Sequence, residues 1–336
     1  MATDLTEVNM NKIQQLLKVT ILGLTVLTLT QSAFAQERVE QTISTSQQPW
    51  IKITHINGDI EVKTWANAEV KVTGTLGENT EEFIFKGDDK RVTIEVKAKK
   101  NKGWFNWDRS YDETANDDLV ILVPVGSEIN YDSINGNLAV AGTSGGVDVD
   151  VINGKIEVED ASGRMRINTV NGPIRMDNTT GELDLGTVNG SIKVQHNSSD
   201  DVNLETVNGD IKLTSQALDV NVETVNGDIK LALGEVDRLN IDTVNSKVAV
   251  TLALLANGKI DATSVDANMH FTFTNDVAAR FELEGHAGGK FTNNLTDDQT
   301  EKAKYGPGRW LNFTTHNGSA KVSIETVSGR VTLDKQ

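Results

Sequence analysis

The amino-acid sequence predicts an all-β protein. It reads as a β-solenoid of stacked coils of about 18 residues, two short strands each, with an irregular β-rich N-terminal cap. Three observations carry this reading. The pair Asn-Gly recurs at Asn135, Asn153, Asn171, Asn189, Asn208 and Asn226, then as Asn-Ser at Asn245, spaced 18, 18, 18, 19, 18 and 19 residues apart. Each pair is followed by an alternating triplet such as Ile156-Glu-Val158, Ile192-Lys-Val194 or Ile211-Lys-Leu213, and about nine residues later by another, such as Val147-Asp-Val149 or Leu183-Asp-Leu185. Alternation with period two places the apolar residues on one face of a strand. Four prolines, 28 glycines and a 5% aromatic share suit an all-β repeat chain better than a helical enzyme.

Asn-Gly between alternating segments is ordinarily a hairpin signal. Near-constant spacing with equivalent residues at every return favours parallel coils instead, with Asn-Gly as a tight corner because both residues tolerate positive φ. The corner asparagines should then stack as a ladder, side-chain amide on side-chain amide. Thr169, Thr187, Thr206, Thr224 and Thr243, which precede the corner, should stack likewise. Outward positions after the corner are mostly basic (Glu157, Arg175, Lys193, Lys212, Lys230). Those on the other strand are mostly acidic or amide (Asp148, Asp150, Arg166, Asp184, Asn203, Glu205, Asn221, Glu223, Asn240, Asp242). Both rows also read simply as solvated faces that resist aggregation.

In chain order, residues 1–9 read as an upstream extension before Met10. Residues 10–35 read as a signal peptide: Lys12 and Lys18, an apolar run from Val19 to Thr30, and the small-x-small site Ala33-Phe34-Ala35. The apolar run is short for a membrane span, so no transmembrane span is expected once the signal is removed. Residues 36–125 form the β-rich cap, which contains one repeat-like stretch from Trp50 to Val62 and a loop at 99–118. That loop carries Trp104, Phe105 and Trp107, a candidate partner-binding cluster, because loops on rigid scaffolds often carry function. Residues 126–250 are the regular solenoid. Residues 251–336 are irregular coils and a cap, closing on two repeat-like units between Trp310 and Leu333.

Composition excludes several function classes. A formal net charge of −16 argues against nucleic acid as a partner. The absence of cysteine removes disulfides, thiolate zinc sites, cysteine catalysis and lipid acylation. Gly142-Thr-Ser144-Gly-Gly146 matches G-x-S-x-G, but that motif needs a strand-to-helix turn, whereas a coil corner is expected here. His55, His196, His270, His286 and His316 show no zinc-binding spacing. Asp117-Asp118, Asp148-Val-Asp150 and Asp200-Asp201 could offer calcium hard oxygen ligands; no calcium-repeat pattern accompanies them. No cofactor is expected.

The stretch from Leu119 to Gly136 (LVILVPVGSEINYDSING), the repeated Thr-Val-Asn-Gly-x-Ile and the closing Thr-Val-Ser328-Gly329-x-Val together resemble the bacterial "putative adhesin" family. The resemblance covers most of residues 50–334. It implies a β-solenoid, an envelope location and an unassigned function, and it brings no catalytic residues. The expectation is a non-enzymatic, exported cell-envelope protein in the periplasm or on the cell surface. Its rigid solenoid would present repeated faces for adhesion or scaffolding to an envelope polymer, a surface or a protein. The alternative is a periplasmic stress-sensing or regulatory protein that binds envelope molecules or cationic peptides. A polysaccharide lyase or hydrolase is a third reading.

Overall fold

The computed structural model of the protein describes residues 37–99 and 116–336. The expected extension, the signal segment and most of the 99–118 loop, with Trp104, Phe105 and Trp107, lie outside the described residues. The described chain is all β. Its first strands are β1 (Glu37–Ser44), β2 (Trp50–Trp65), β3 (Glu69–Leu76), β4 (Thr80–Gly87), β5 (Arg91–Ala98), β6 (Asp117–Pro124) and β7 (Glu128–Ala141). The coils continue as β8 (Val147–Asn153), β9 (Ile156–Glu159), β10 (Met165–Asn171), β11 (Ile174–Thr179), β12 (Leu183–Asn189), β13 (Ile192–His196), β14 (Val202–Asn208), β15 (Ile211–Ser215) and β16 (Asp219–Asn226). The last strands are β17 (Ile229–Phe273), β18 (Ala279–Gly285), β19 (Lys290–Asn293), β20 (Glu301–Lys302), β21 (Arg309–Thr314) and β22 (Ala320–Lys335).

From β7 to β17 the strands stack in parallel, as a solenoid requires, and not as antiparallel hairpins. One stack runs β7, β8, β10, β12, β14, β16, β17, and the other β7, β9, β11, β13, β15, β17. Equivalent repeat positions face one another: Ile174, Ile192, Ile211 and Ile229 form one in-register column, and Leu183, Val202, Val220 and Leu239 another. These columns are the core, with Ile192 and Val220 fully buried. Each such aliphatic side chain removed from water contributes about 1.5–3 kcal/mol. One coil holds few of them, so stability accumulates from coil to coil.

The corner shows why the repeat is Asn-Gly. Asn57, Asn135, Asn153, Asn171, Asn189, Asn208, Asn226 and Asn245 form an eight-rung ladder in which each Nδ2 donates to the Oδ1 of the rung before, at 2.7–3.3 Å. None of these asparagines has positive φ. The glycine is needed for close approach, more than for a left-handed turn. A Cβ on Gly172, Gly190, Gly209 or Gly227 would lie 1.8–2.0 Å from the carbonyl oxygen of the corner glycine one coil below. Gly209→Ala should therefore force neighbouring coils apart and destabilise by about 1–3 kcal/mol in chemical denaturation.

Both ends depart from the sequence-based expectation. The Trp50–Val62 stretch, expected within an irregular cap, is a full coil. β2 pairs in parallel with β7 along its length, with Asn57 opposite Asn135, although 78 residues separate them. Its other edge pairs in parallel with β5 and β6. Antiparallel strands close this end, with β4 on β5 and β3 on β6, and β1 on β3. At the C-terminal end β17 continues without a break to Phe273. Of the two closing repeat-like units only the second, β22, is a coil, lying parallel to β17, β18 and β19. The Trp310 unit is β21, which runs antiparallel to β18. Period-two alternation is the same for either strand direction, so it could not separate the two.

Candidate functional site

The residue just before each corner asparagine is the feature that the repeat reading left unassigned. In the segment Glu205-Thr206-Val207-Asn208, Thr206 is buried, so alternation turns Val207 outward. The same alternation runs along the stack, with Val265 and Val327 in the equivalent place before Asp266 and Ser328. Ile134, Ile152, Val170, Val188, Val207, Val225, Val265 and Val327 expose 38–47% of their surface. Strand register stacks them with half-buried Ile56 and Val244 in two runs, Ile56 to Val244 and Val265 to Val327, and the hydrogen bond from the Thr263 hydroxyl to Asp242 joins the runs into one column along the solenoid. With about 4.8 Å between neighbouring strands, nine intervals make a ladder roughly 43 Å long. Single exposed aliphatics are ordinary, but a contiguous apolar stripe marks an interaction surface.

The ladder forms one wall of a shallow groove of about 610 Å³ beside Val188, Val207, Val225 and Val244. Glu205, Glu223 and Asp242 line it too, two residues before the aliphatic position, and Gly186 leaves a gap in that row. Thr169, Thr187, Thr206, Thr224 and Thr243 stack in register beneath. At the earlier coils the carboxylates are engaged: Arg166 pairs with Asp148 and Asp150, and Lys52 with Asp132. Further along, Asp184, Glu205, Glu223 and Asp242 form no ion pair among the described residues. They accept hydrogen bonds from Asn203, Asn221 and Thr263 instead. On the other stack Arg175, Lys193, Lys212 and Lys230 face one another in register. The solenoid thus carries one row rich in carboxylates and amides and another rich in cations.

Three of the candidate polar groups, Asp117, His55 and His196, are held in buried hydrogen-bond sets. Asp117, read as a possible calcium ligand, is buried; its Oδ2 meets His55 Nε2 at 3.0 Å and its Oδ1 accepts from the Gly77 amide at 2.7 Å and the Thr80 hydroxyl at 2.8 Å. Burial alone would raise the Asp117 carboxyl, but the hydrogen bonds from His55, Gly77 and Thr80 together outweigh it and hold it below its ordinary range. Tyr131 OH lies 3.4 Å from His55 Nδ1, and burial pushes this phenol up, so it stays protonated. His196 is also buried, between Ser215 Oγ and the Gly181 carbonyl, each at 2.9 Å. Burial holds its imidazole below the usual range and keeps it neutral.

His270 and His316 each sit beside one carboxylate, of Asp334 and Asp276, and His286 lies between two, of Glu325 and Glu284. Ser144 of the G-x-S-x-G match lies in a turn between strands, its hydroxyl on the Val125 carbonyl. Among the described residues no group of three or more His, Asp or Glu side chains is arranged to hold a metal. No described helix is long and apolar enough to cross a membrane.

No curated protein matches the chain. A "putative cell adhesion protein" of Clostridium sporogenes aligns with 89% of this chain and 100% of its own at 10% identity, TM-score 0.25. A "putative lipid binding protein" of Parabacteroides distasonis aligns over 88% and 96% at 14% identity, TM-score 0.43. A "putative adhesin" of Bacteroides fragilis aligns over 88% and 97% at 12% identity, TM-score 0.31. The model of the Toastrack DUF4097 family matches residues 49–334, from the start of β2 into β22, the whole extent of the parallel stack. The chain belongs to the Toastrack DUF4097 family.

Proposed function

We propose that this chain is an exported, non-enzymatic protein of the bacterial envelope whose solenoid presents a repeated face for adhesion or scaffolding. The observation that carries the reading is the exposed aliphatic ladder beside the acidic and amide rows. A contiguous apolar column on the outside of the stack marks an interaction surface. Residues of one kind repeated at one spacing suit many weak contacts made together, to a polymer, a surface or a protein. Residues 10–35 would direct export and be removed, which leaves 36–336 in the periplasm or on the cell surface.

The test is binding of purified 36–336 to isolated envelope fractions. Replacing Val188, Val207 and Val225 together by Ser should weaken binding at least tenfold, because removing several contacts of a multivalent set compounds. The unfolding midpoint should stay close to that of the unmodified chain, since the three are exposed. Unchanged binding would remove this face from the account. Turnover of a polysaccharide, abolished by one point substitution, would refute the non-enzymatic reading.

A second reading is favoured by one specific observation. The carboxylates of Asp184, Glu205, Glu223 and Asp242 lack cationic partners among the described residues. A periplasmic sensor or regulator binding cationic peptides would use them. Its binding would fall steeply with ionic strength, whereas contact through the aliphatic ladder would be nearly salt-independent.

A further inference from the structure

The open edges of the solenoid differ in what they expose. Among the described residues β1 pairs only with β3, and it presents mainly charged and polar residues along Glu37–Ser44. Among the described residues β4 pairs only with β5, and its other side carries no strand pairing, although β1 comes into contact with it. It is also the described edge strand that carries three consecutive apolar residues, Phe83, Ile84 and Phe85, all half-buried. Alternation and register turn Phe83 and Phe85 towards the core beside Val96 and Ile94, and turn Ile84 outward beside Glu95. An unpaired strand of this kind is a template for another strand, unless its own charges forbid the pairing.

The charges on β4 select one pairing. In a two-fold antiparallel arrangement centred on Ile84, Glu82 faces Lys86 on both sides of the axis and Phe83 faces Phe85. Centring on Phe83 would instead set Glu82 against Ile84 and Glu81 against Phe85. Centring on Phe85 would set Glu82 against Asp88. Opposite charges directly across a strand pair stabilise it and like charges do the reverse. We propose that β4 is a self-complementary edge through which two copies of this chain pair, antiparallel and centred on Ile84. Each β4 has antiparallel β5 on its inner side, so the two stacks would join into one continuous sheet across the two-fold axis, the isologous contact expected of a C2 dimer. The proposal is independent of what the aliphatic ladder binds, and its consequence is that two ladders act as one multivalent unit.

The experiment is sedimentation velocity of 36–336 over a wide concentration range, together with Lys86→Glu, Glu82→Lys and an equimolar mixture of the two. Both side chains are exposed. Glu82 also pairs with Lys97 of its own chain at 2.8 Å, which makes Lys86→Glu the cleaner variant. The unmodified chain should dimerise with rising concentration. Each variant alone should have a dissociation constant roughly tenfold higher or more, since two attractive cross-strand pairs become repulsive. The mixture should recover the dimer, because each Glu then meets a Lys. Circular dichroism of both variants should match the unmodified chain. A chain that stays monomeric throughout would overturn the proposal. So would a dimer that neither substitution weakens, or one that the mixture fails to restore.

Discussion

Ile211→Asp should destabilise the protein by several kcal/mol, whereas Lys212→Asp, one residue along, should change stability by no more than about 0.5 kcal/mol. Ile211 is 1% exposed and lies in the column between Ile192 and Ile229. An aspartate there would place a carboxylate among aliphatic side chains with no partner. Lys212 points outward from the same strand, between Lys193 and Lys230. Removing one cation from that like-charged row costs no packing. Ile192→Asp and Lys193→Asp should repeat the contrast one coil earlier. Urea unfolding followed by far-ultraviolet circular dichroism measures all four. Because coils are held mainly by their neighbours, the damage should spread along the stack and lower the unfolding slope as well as the midpoint. Equal effects at Ile211 and Lys212 would mean that the inward and outward faces are reversed.

The next largest effect is expected at Asp117. Asp117→Ala leaves His55, the Gly77 amide and the Thr80 hydroxyl without their acceptor. Breaking one partner out of such a buried set costs roughly 3–5 kcal/mol. The folded chain holds this carboxyl below its ordinary range, so the unfolded chain binds the proton more readily. Its contribution is therefore complete above the unfolded value of about 3.9 and is lost as the pH falls through the lower folded value. In Asp117→Asn that acid-side loss should disappear and the chain should be less stable at neutral pH. A variant whose acid unfolding tracks the unmodified protein would show that this carboxylate does not organise the N-terminal coils.

Much of this architecture is written locally. The spacing of the corner asparagines and the alternation between them specify strands, coil length, core columns and the amide ladder, because each depends on residues within one repeat. What lies beyond one repeat is not legible in the same way. The place of β2 under β7 depends on an intervening segment leaving the stack and returning on its far side, which neither strand encodes. Asp117 sits next to Asp118 and reads as surface charge until the fold brings His55 to it across 62 residues. The candidate face was partly legible. In Thr206-Val207-Asn208 the burial of the threonine implies the exposure of the valine, yet a β-branched aliphatic in a strand reads first as core. Gly209 shows a related effect: a residue expected for its backbone freedom is required because another backbone passes close by.

The measurement that tests the account most directly is disulfide trapping between coils, in a chain that has no cysteine of its own. Glu61 of β2 faces Ala139 of β7 in parallel register, and Ala139 in turn faces Glu157 of β9. Cysteines at 61 and 139 would then lie about 4.8 Å apart along the stack, within reach of a disulfide. Cysteines at 61 and 157 would be about 9.6 Å apart, two strand spacings, and out of reach. Oxidation should link the first pair quantitatively and leave the second as free thiols. Failure of the first pair, or equal linking of both, would contradict the stack on which the exposed ladder and its proposed role depend.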